Sequence, residues 1–313
     1  MAKLTLVPGA KPTPLARLVD DYLAHCQAKN LSPNTIKNAY GYPLRGILLP
    51  FAEAQGITEV SGLDNRVLDR LSAQLLREGN VRGRLSEHSV HAYARAINHF
   101  LSWARKEGEQ VGGKAQLPKL PQRLIDILSR EEIESLEDAA RTERDKLIVR
   151  LLADTGIRVG ELVGLRTGSL LQRDRQYFLK VRGKGDKERL VPVSPAFYRR
   201  LAKYTERGRP RDAAGDRLFM ALKRRPGGDY EPLTSSGVEQ LIRNLGVVAG
   251  LSKRVHPHLF RHSAATWMLR RGMNPMLVAQ ILGHESLQMI QRVYAHLTPG
   301  DSYDAMLKVL QEP

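Results

Sequence analysis

In the last third of the chain, His258, Arg261, His284 and Tyr294 occur in the strings H-P-H-L-F-R-H, L-G-H and V-Y-A-H-L, behind Arg158 in T-G-I-R-V-G-E-L. These are the side chains needed to attack a phosphodiester without a metal. Arginine presents a planar fork that matches two phosphate oxygens, histidine moves protons near neutral pH, and tyrosine can become a covalent phosphoryl ester. His258 and Arg261 lie three residues apart and so share a helical face. Pro257 reads as the first-turn residue of that helix, which sets His258 near a positive helix N-terminus where phosphate binds well. Each residue also has a plain reading. His258 and Arg261 could decorate a solvated face, Arg158 could form a surface ion pair with Glu161, His284 could cap a helix and Tyr294 could fill a core.

The elements that must position these groups are legible in outline. Residues Pro14 to Glu107 carry helical stripes, Leu15, Leu18, Val19 and Tyr22 in one and Val90, Tyr93, Ile97, Phe100 and Leu101 in another, with no convincing strand. Ser32-Pro33 and Ser86 with Glu87 mark helix starts. Gly108, Gly112, Gly113, Pro118 and Pro121 read as a linker. Beyond it, Ser129 with Glu131 and Glu132 opens a helix through Ala140, and Asp145 to Thr155 is a strongly apolar helix ending near Gly156, so that Arg158 follows a sharp turn. Tyr177–Val181 and Glu188–Val193 alternate like the strands of a hairpin whose tip, Arg182 to Lys187, holds Gly183-Lys184-Gly185. Those glycines either free the backbone to approach a ligand or form a polar turn. From Ser235 onward the periodicity is helical, with breaks at Gly250, Gly272 to Pro275 and Gly283. The expected boundaries are a tail over 1–13, a helical domain over 14–107, a linker over 108–122 and a second domain over 123–313.

Composition bounds the partners. A chain of 313 residues with 42% hydrophobic content can bury two cores, and a formal charge of +16 favours a polyanion, nucleic acid first. No stretch approaches the roughly 20 apolar residues of a membrane span, and Met1 to Leu15 lacks the apolar run of a secretory signal. The single cysteine, Cys26, excludes an internal disulfide framework and a cysteine-built zinc site, suits a reducing cytoplasm, and reads as core filling.

The strings T-G-I-R-V-G-E-L-V-G-L, R-G-K-G-D-K-E-R-L-V-P-V, H-P-H-L-F-R-H-S-A-A-T, L-G-H and V-Y-A-H-L-T-P stand in the order found in tyrosine recombinases, the phage-integrase family. The resemblance spans about residues 123 to 300. The preceding half, with L-S-P-N-T-I and F-L-S-W-A-R-K-E-G, resembles that family's helical, SAM-like core-binding domain, in a layout close to the Xer-like and small-integrase members. With nothing domain-sized before Pro14, the arm-binding domain of larger integrases is expected to be absent. The fold implied is mainly α, with a small β-sheet inside an α+β catalytic domain.

The resemblance implies a site-specific DNA recombinase that cleaves and rejoins duplex DNA through a 3′-phosphotyrosyl link and a Holliday junction, as a homotetramer on its sites. Arg158 and Arg261 would hold the scissile phosphate, Tyr294 would attack it, Lys184 would protonate the leaving 5′-oxygen, His258 would assist proton transfer at the tyrosine, and His284 would position the phosphate. Glu161 would orient Arg158. No metal and no cofactor is implied, and the link to tyrosine stores the bond energy, so no ATP is needed. A C-terminal helix near Ser302 to Leu310 would pack on a neighbouring protomer or in its own core. The spacing from His284 to Tyr294 is ten residues, one more than in most members, which sets Val293 at the usual position; a loop among Glu285 to Ile290 is expected to take up the addition. A type IB topoisomerase shares this chemistry, and a catalytically impaired DNA-binding accessory protein shares the fold. Participation of an accessory DNA-bending protein is left open.

Overall fold

The computed structural model describes residues 13–80, 83–120, 126–183, 186–210, 213, 215–224, 228–283 and 307. Lys184, His284 and Tyr294 lie outside the described residues, as do the His284–Tyr294 loop and, except for Leu307, the expected C-terminal helix. The chain divides into two compact units, residues 1–122 and 123–313. Both are dominated by helices, and the described strands all belong to the second.

In the first unit, helix α1 (Leu15–Ala28) buries Leu15, Leu18, Val19, Tyr22, Leu23 and Cys26 along one stripe. Ser32 accepts the Thr35 N–H and opens α2 (Pro33–Thr35), a cap worth about 1 kcal/mol. Wide π-turns follow over Ile36–Gly41 and Leu44–Leu48 before α3 (Leu49–Ala54). Pro43 and Pro50 explain them in part: each lacks an N–H and crowds the carbonyl four residues back, which breaks the ordinary ladder. Helices α4 (Asn65–Arg77) and α5 (Glu87–Lys106) start at Asp64 and Ser86, whose side chains accept the N–H of Val67 and Ser89. Leu44, Leu48, Leu68, Ile97, Phe100 and Leu101 close the core, with the Tyr22 ring edge-on to Phe100 at 5.6 Å. Cys26 fills this core at 3% exposure.

Residues 108–120 form no regular element, yet their first part is built onto this unit. Asn98 and Ala115 exchange two hydrogen bonds of 2.9 and 2.8 Å, and the Lys114 N–H reaches Asn65 Oδ1 at 2.8 Å. A Cβ on Gly112 would stand 2.4 Å from the Ser61 carbonyl oxygen, and one on Gly113 would stand 2.5 Å from the Asn65 nitrogen. These glycines allow close approach rather than slack.

The second unit begins with α6 (Arg130–Ala139), where Ser129 and Glu132 cap each other's backbone. Helix α7 (Glu143–Thr155) starts two residues ahead of the expected Asp145, because Thr142 supplies the cap. It is the central helix, with Leu147, Ile148, Leu151 and Leu152 fully buried, and it packs on α11 (Pro257–Arg270). Between them come α8 (Val159–Gly164), an antiparallel meander of β1 (Leu170–Arg173), β2 (Gln176–Arg182) and β3 (Glu188–Pro192), α9 (Pro195–Lys203), a two-stranded ribbon of β4 (Met220–Arg224) and β5 (Tyr230–Pro232), and α10 (Ser235–Val248). Helix α12 (Pro275–Leu282) follows α11. The expected hairpin is β2–β3, with Leu179 opposite Val191 and Arg182 opposite Glu188. Strands β1, β4 and β5 have no counterpart in the periodicity, since L-L-Q-R does not alternate and A-L-K-R-R reads as a basic cluster. Among the described residues no helix is long and apolar enough to cross a membrane.

Candidate active site

Helix α7 must stop abruptly for Arg158 to reach its position. Gly156 ends it with φ 60°, a left-handed cap whose N–H bonds the Leu152 carbonyl. A Cβ there would lie 2.7 Å from Leu282 Cδ2 and 3.0 Å from Ala264 Cβ, so the glycine also lets α7, α11 and α12 meet. Two residues later Arg158 caps α8, and its backbone N–H donates to Glu161 Oε2 at 2.8 Å.

Glu161 is 5% exposed, which overturns the reading of a solvated Arg158–Glu161 pair. Arg158 Nη1 reaches Glu161 Oε1 at 3.2 Å, while Arg189 of β3 grips both oxygens, Nη1 on Oε1 and Nη2 on Oε2 at 2.8 Å each. Burial pushes the Glu161 carboxyl up, but the Arg189 hydrogen bonds, the Arg158 N–H and the two guanidinium charges outweigh it and hold it below the ordinary carboxylate value.

The arginines meet again at the C-terminal end of α12. Arg189 Nε donates to the Ile281 carbonyl at 2.7 Å, Arg261 Nη2 to the Leu282 carbonyl at 2.7 Å, and Arg158 to the Leu282 and Gly283 carbonyls at 3.4 and 3.0 Å. A helix C-terminus carries unsatisfied carbonyls and partial negative charge, so cations gather there. Arg261 also donates to the Gly156 carbonyl at 2.8 Å and is 4% exposed. Burial, then the neighbouring Arg158 charge, lowers its pKa to about 10. It stays charged at neutral pH, in a setting that an anion would relieve.

His258 is exposed at the start of α11, whose true cap is His256: its Nδ1 accepts the Leu259 N–H at 3.2 Å, and Pro257 occupies the first turn. Partial burial, then the charges of His258 and Arg254, lower the His256 pKa. Arg158, Glu161, Arg182, Gly183, His258 and Arg261 line one cleft of about 400 Å³. Glu161 is the sole carboxylate among its described lining residues, and the cleft is open to an anion. Arg182 at its rim pairs with Asp186.

Three of the six expected site residues, Arg158, His258 and Arg261, thus come together at one cleft, the first from the start of α8 and the other two from α11. Gly183, the last described residue before Lys184, lines the same cleft and bonds its N–H to the Lys187 carbonyl at 2.8 Å. Gly283, immediately before His284, accepts from Arg158. Arg189 was not among the expected residues. It follows Lys187 and Glu188 in a charged run, two residues before the buried Val191 and so on the same face of β3, and the fold shows that its side chain meets Glu161. Among the described residues no cluster of three or more His, Cys, Asp or Glu could hold a metal ion.

Residues 126–300 match the phage integrase family. The tyrosine recombinase XerD of Listeria monocytogenes serotype 4b (strain F2365) is 30% identical over 292 residues, covering 90% of this chain and 94% of the relative. The tyrosine recombinase XerC of Xanthomonas campestris pv. campestris (strain B100) is 32% identical over 301 residues, covering 94% and 87%. The solved structure of the Tn1549 transposon integrase in complex with transposon right end DNA superposes with a TM-score of 0.73 at 18% identity, covering 95% of this chain and 100% of that one, a likeness of fold.

Proposed function

The chain belongs to the phage integrase family, as a tyrosine recombinase of the Xer type, and we propose that it cleaves and rejoins duplex DNA at specific sites through a 3′-phosphotyrosyl intermediate. The observation that carries this reading is the convergence of Arg158 and Arg261 on one carbonyl oxygen, that of Leu282, at a cleft with His258 on its wall. Around Glu161 stand three guanidinium groups, those of Arg158, Arg189 and Arg261, so the cluster keeps a positive surplus for a phosphate.

In this reading the two cleft guanidiniums hold the non-bridging oxygens and stabilise the charge of the five-coordinate transition state. The Tyr294 oxygen forms the new bond to phosphorus as the bond to the 5′-oxygen breaks. Lys184 gives that oxygen its proton, His258 assists proton transfer at the tyrosine, and His284 positions the phosphate. Attack by the 5′-hydroxyl of a second duplex reverses these steps, and two such exchanges pass through a Holliday junction. We read the working assembly as a homotetramer on its DNA sites, acting in the cytoplasm.

The test uses a duplex selected by the protein from random sequence and nicked beside the cleaved position. The wild-type protein is expected to become covalently attached with or without a chelator, and Tyr294→Phe to bind equally and attach nothing. Binding without attachment would point instead to an accessory protein of this fold, and relaxation of supercoiled DNA lacking the site to a topoisomerase.

A further inference from the structure

Glu161 sits at 5% exposure with two arginines on it, and they hold it unequally. The Arg189 guanidinium takes both carboxylate oxygens at 2.8 Å and its side chain is 14% exposed; the Arg158 guanidinium takes one at 3.2 Å and its side chain is 41% exposed. The third contact of Arg189, Nε on the Ile281 carbonyl, fixes the last turn of α12. Its guanidinium also lies against Gly283, where φ is 66° and a Cβ would be 2.9 Å from Arg189 Cζ. Arg189 is outside the set of residues that line the cleft, so it acts through others.

We propose that Arg189 is a positioning residue for strand cleavage: it supplies the counter-charge that Glu161 requires, which leaves Arg158 free for the phosphate, and it anchors the end of α12 from which His284 follows. The inference rests on the recombinase reading above. A buried carboxylate demands a cation, and without Arg189 that demand falls on Arg158 in competition with the phosphate. A lysine brings the charge as a single point and cannot span two carboxylate oxygens and a carbonyl together.

The experiment measures single-turnover attachment to the selected, nicked duplex at saturating protein, alongside equilibrium binding, for wild type, Arg189→Lys, Arg189→Gln and the double variant Glu161→Gln/Arg189→Gln. Both single variants are expected to cleave roughly 10- to 100-fold more slowly while binding DNA within about twofold of wild type. The double variant removes the demand together with its supply, and is expected to recover about tenfold over Arg189→Gln. A purely structural role moves binding and folding along with rate and gives no such recovery. The proposal is overturned if Arg189→Lys cleaves at the wild-type rate, a result that holds even if Arg189→Gln fails to fold, or if the double variant is no faster than Arg189→Gln. Absence of attachment by the wild-type protein would instead strike the recombinase reading itself.

Discussion

Arg158 and Arg261 divide the holding of an anion by their burial. Arg261 is buried and fixed by two carbonyls, while the Arg158 side chain is 41% exposed, though it donates to Glu161 and to the Leu282 and Gly283 carbonyls. Arg261→Lys keeps the charge and loses the fork, so attachment to DNA should fall by about 10²- to 10³-fold with little change in binding. Equal losses in binding and attachment would show that Arg261 serves affinity instead. Residue types and spacing made these two arginines and His258 visible in the sequence, because each stands in a short string whose chemistry is unusual in combination. Arg189 stayed hidden because it follows Lys187 and Glu188 in a charged run, and its place on the face of Val191 points to a buried partner without naming it.

At the scale of elements, the site depends on where helices end. Gly156→Ala meets a left-handed φ and a contact of 2.7 Å with Leu282, and should destabilise the protein by about 1–3 kcal/mol in urea unfolding. It should also slow cleavage, since the displaced Leu282 carries a carbonyl that both cleft arginines use. His256 gives the start of α11 a pH dependence. Its lowered pKa means the unfolded chain takes up the proton first, so stability is full above the ordinary histidine value near 6.5 and declines as pH falls through the folded value. His256→Asn keeps a good cap and should flatten that decline in thermal melts between about pH 7 and 5.5. Helix starts such as Ser86 and Ser129 and the stop at Gly156 were readable because caps are local chemistry. The β4–β5 ribbon and the π-turns on either side of Pro43 were not, since the first pairs Met220 with Pro232 and Arg224 with Tyr230 in no alternating pattern, and a proline breaks the ordinary ladder without specifying the wide turn that replaces it.

For the molecule as a whole, the surplus of +16 is a statement about salt. Affinity for duplex of arbitrary sequence should fall by about 10³-fold or more between 50 and 200 mM salt, linearly on logarithmic axes. A flat response would show that the surplus charge does not bind a polyanion. Among the described residues each unit buries a large core of its own, with a smaller cluster between α11 and α12 in the second, which fits the length and composition, and the positive charge is spread over both halves rather than confined to the cleft.

The arginine cluster is balanced mainly by backbone carbonyls at the end of α12, and peptide carbonyls do not titrate. Glu161, its one carboxylate among the described residues, is held below its usual range, and the lowered pKa of Arg261, about 10, still leaves it charged at neutral pH. The arginines' hold on a phosphate should therefore be constant across the neutral range, and any rising or falling limb of the pH–rate profile there reports the histidines and the proton transfers at the tyrosine and the leaving oxygen. Cleavage rates that bend with pH while dissociation constants stay level would display that separation directly.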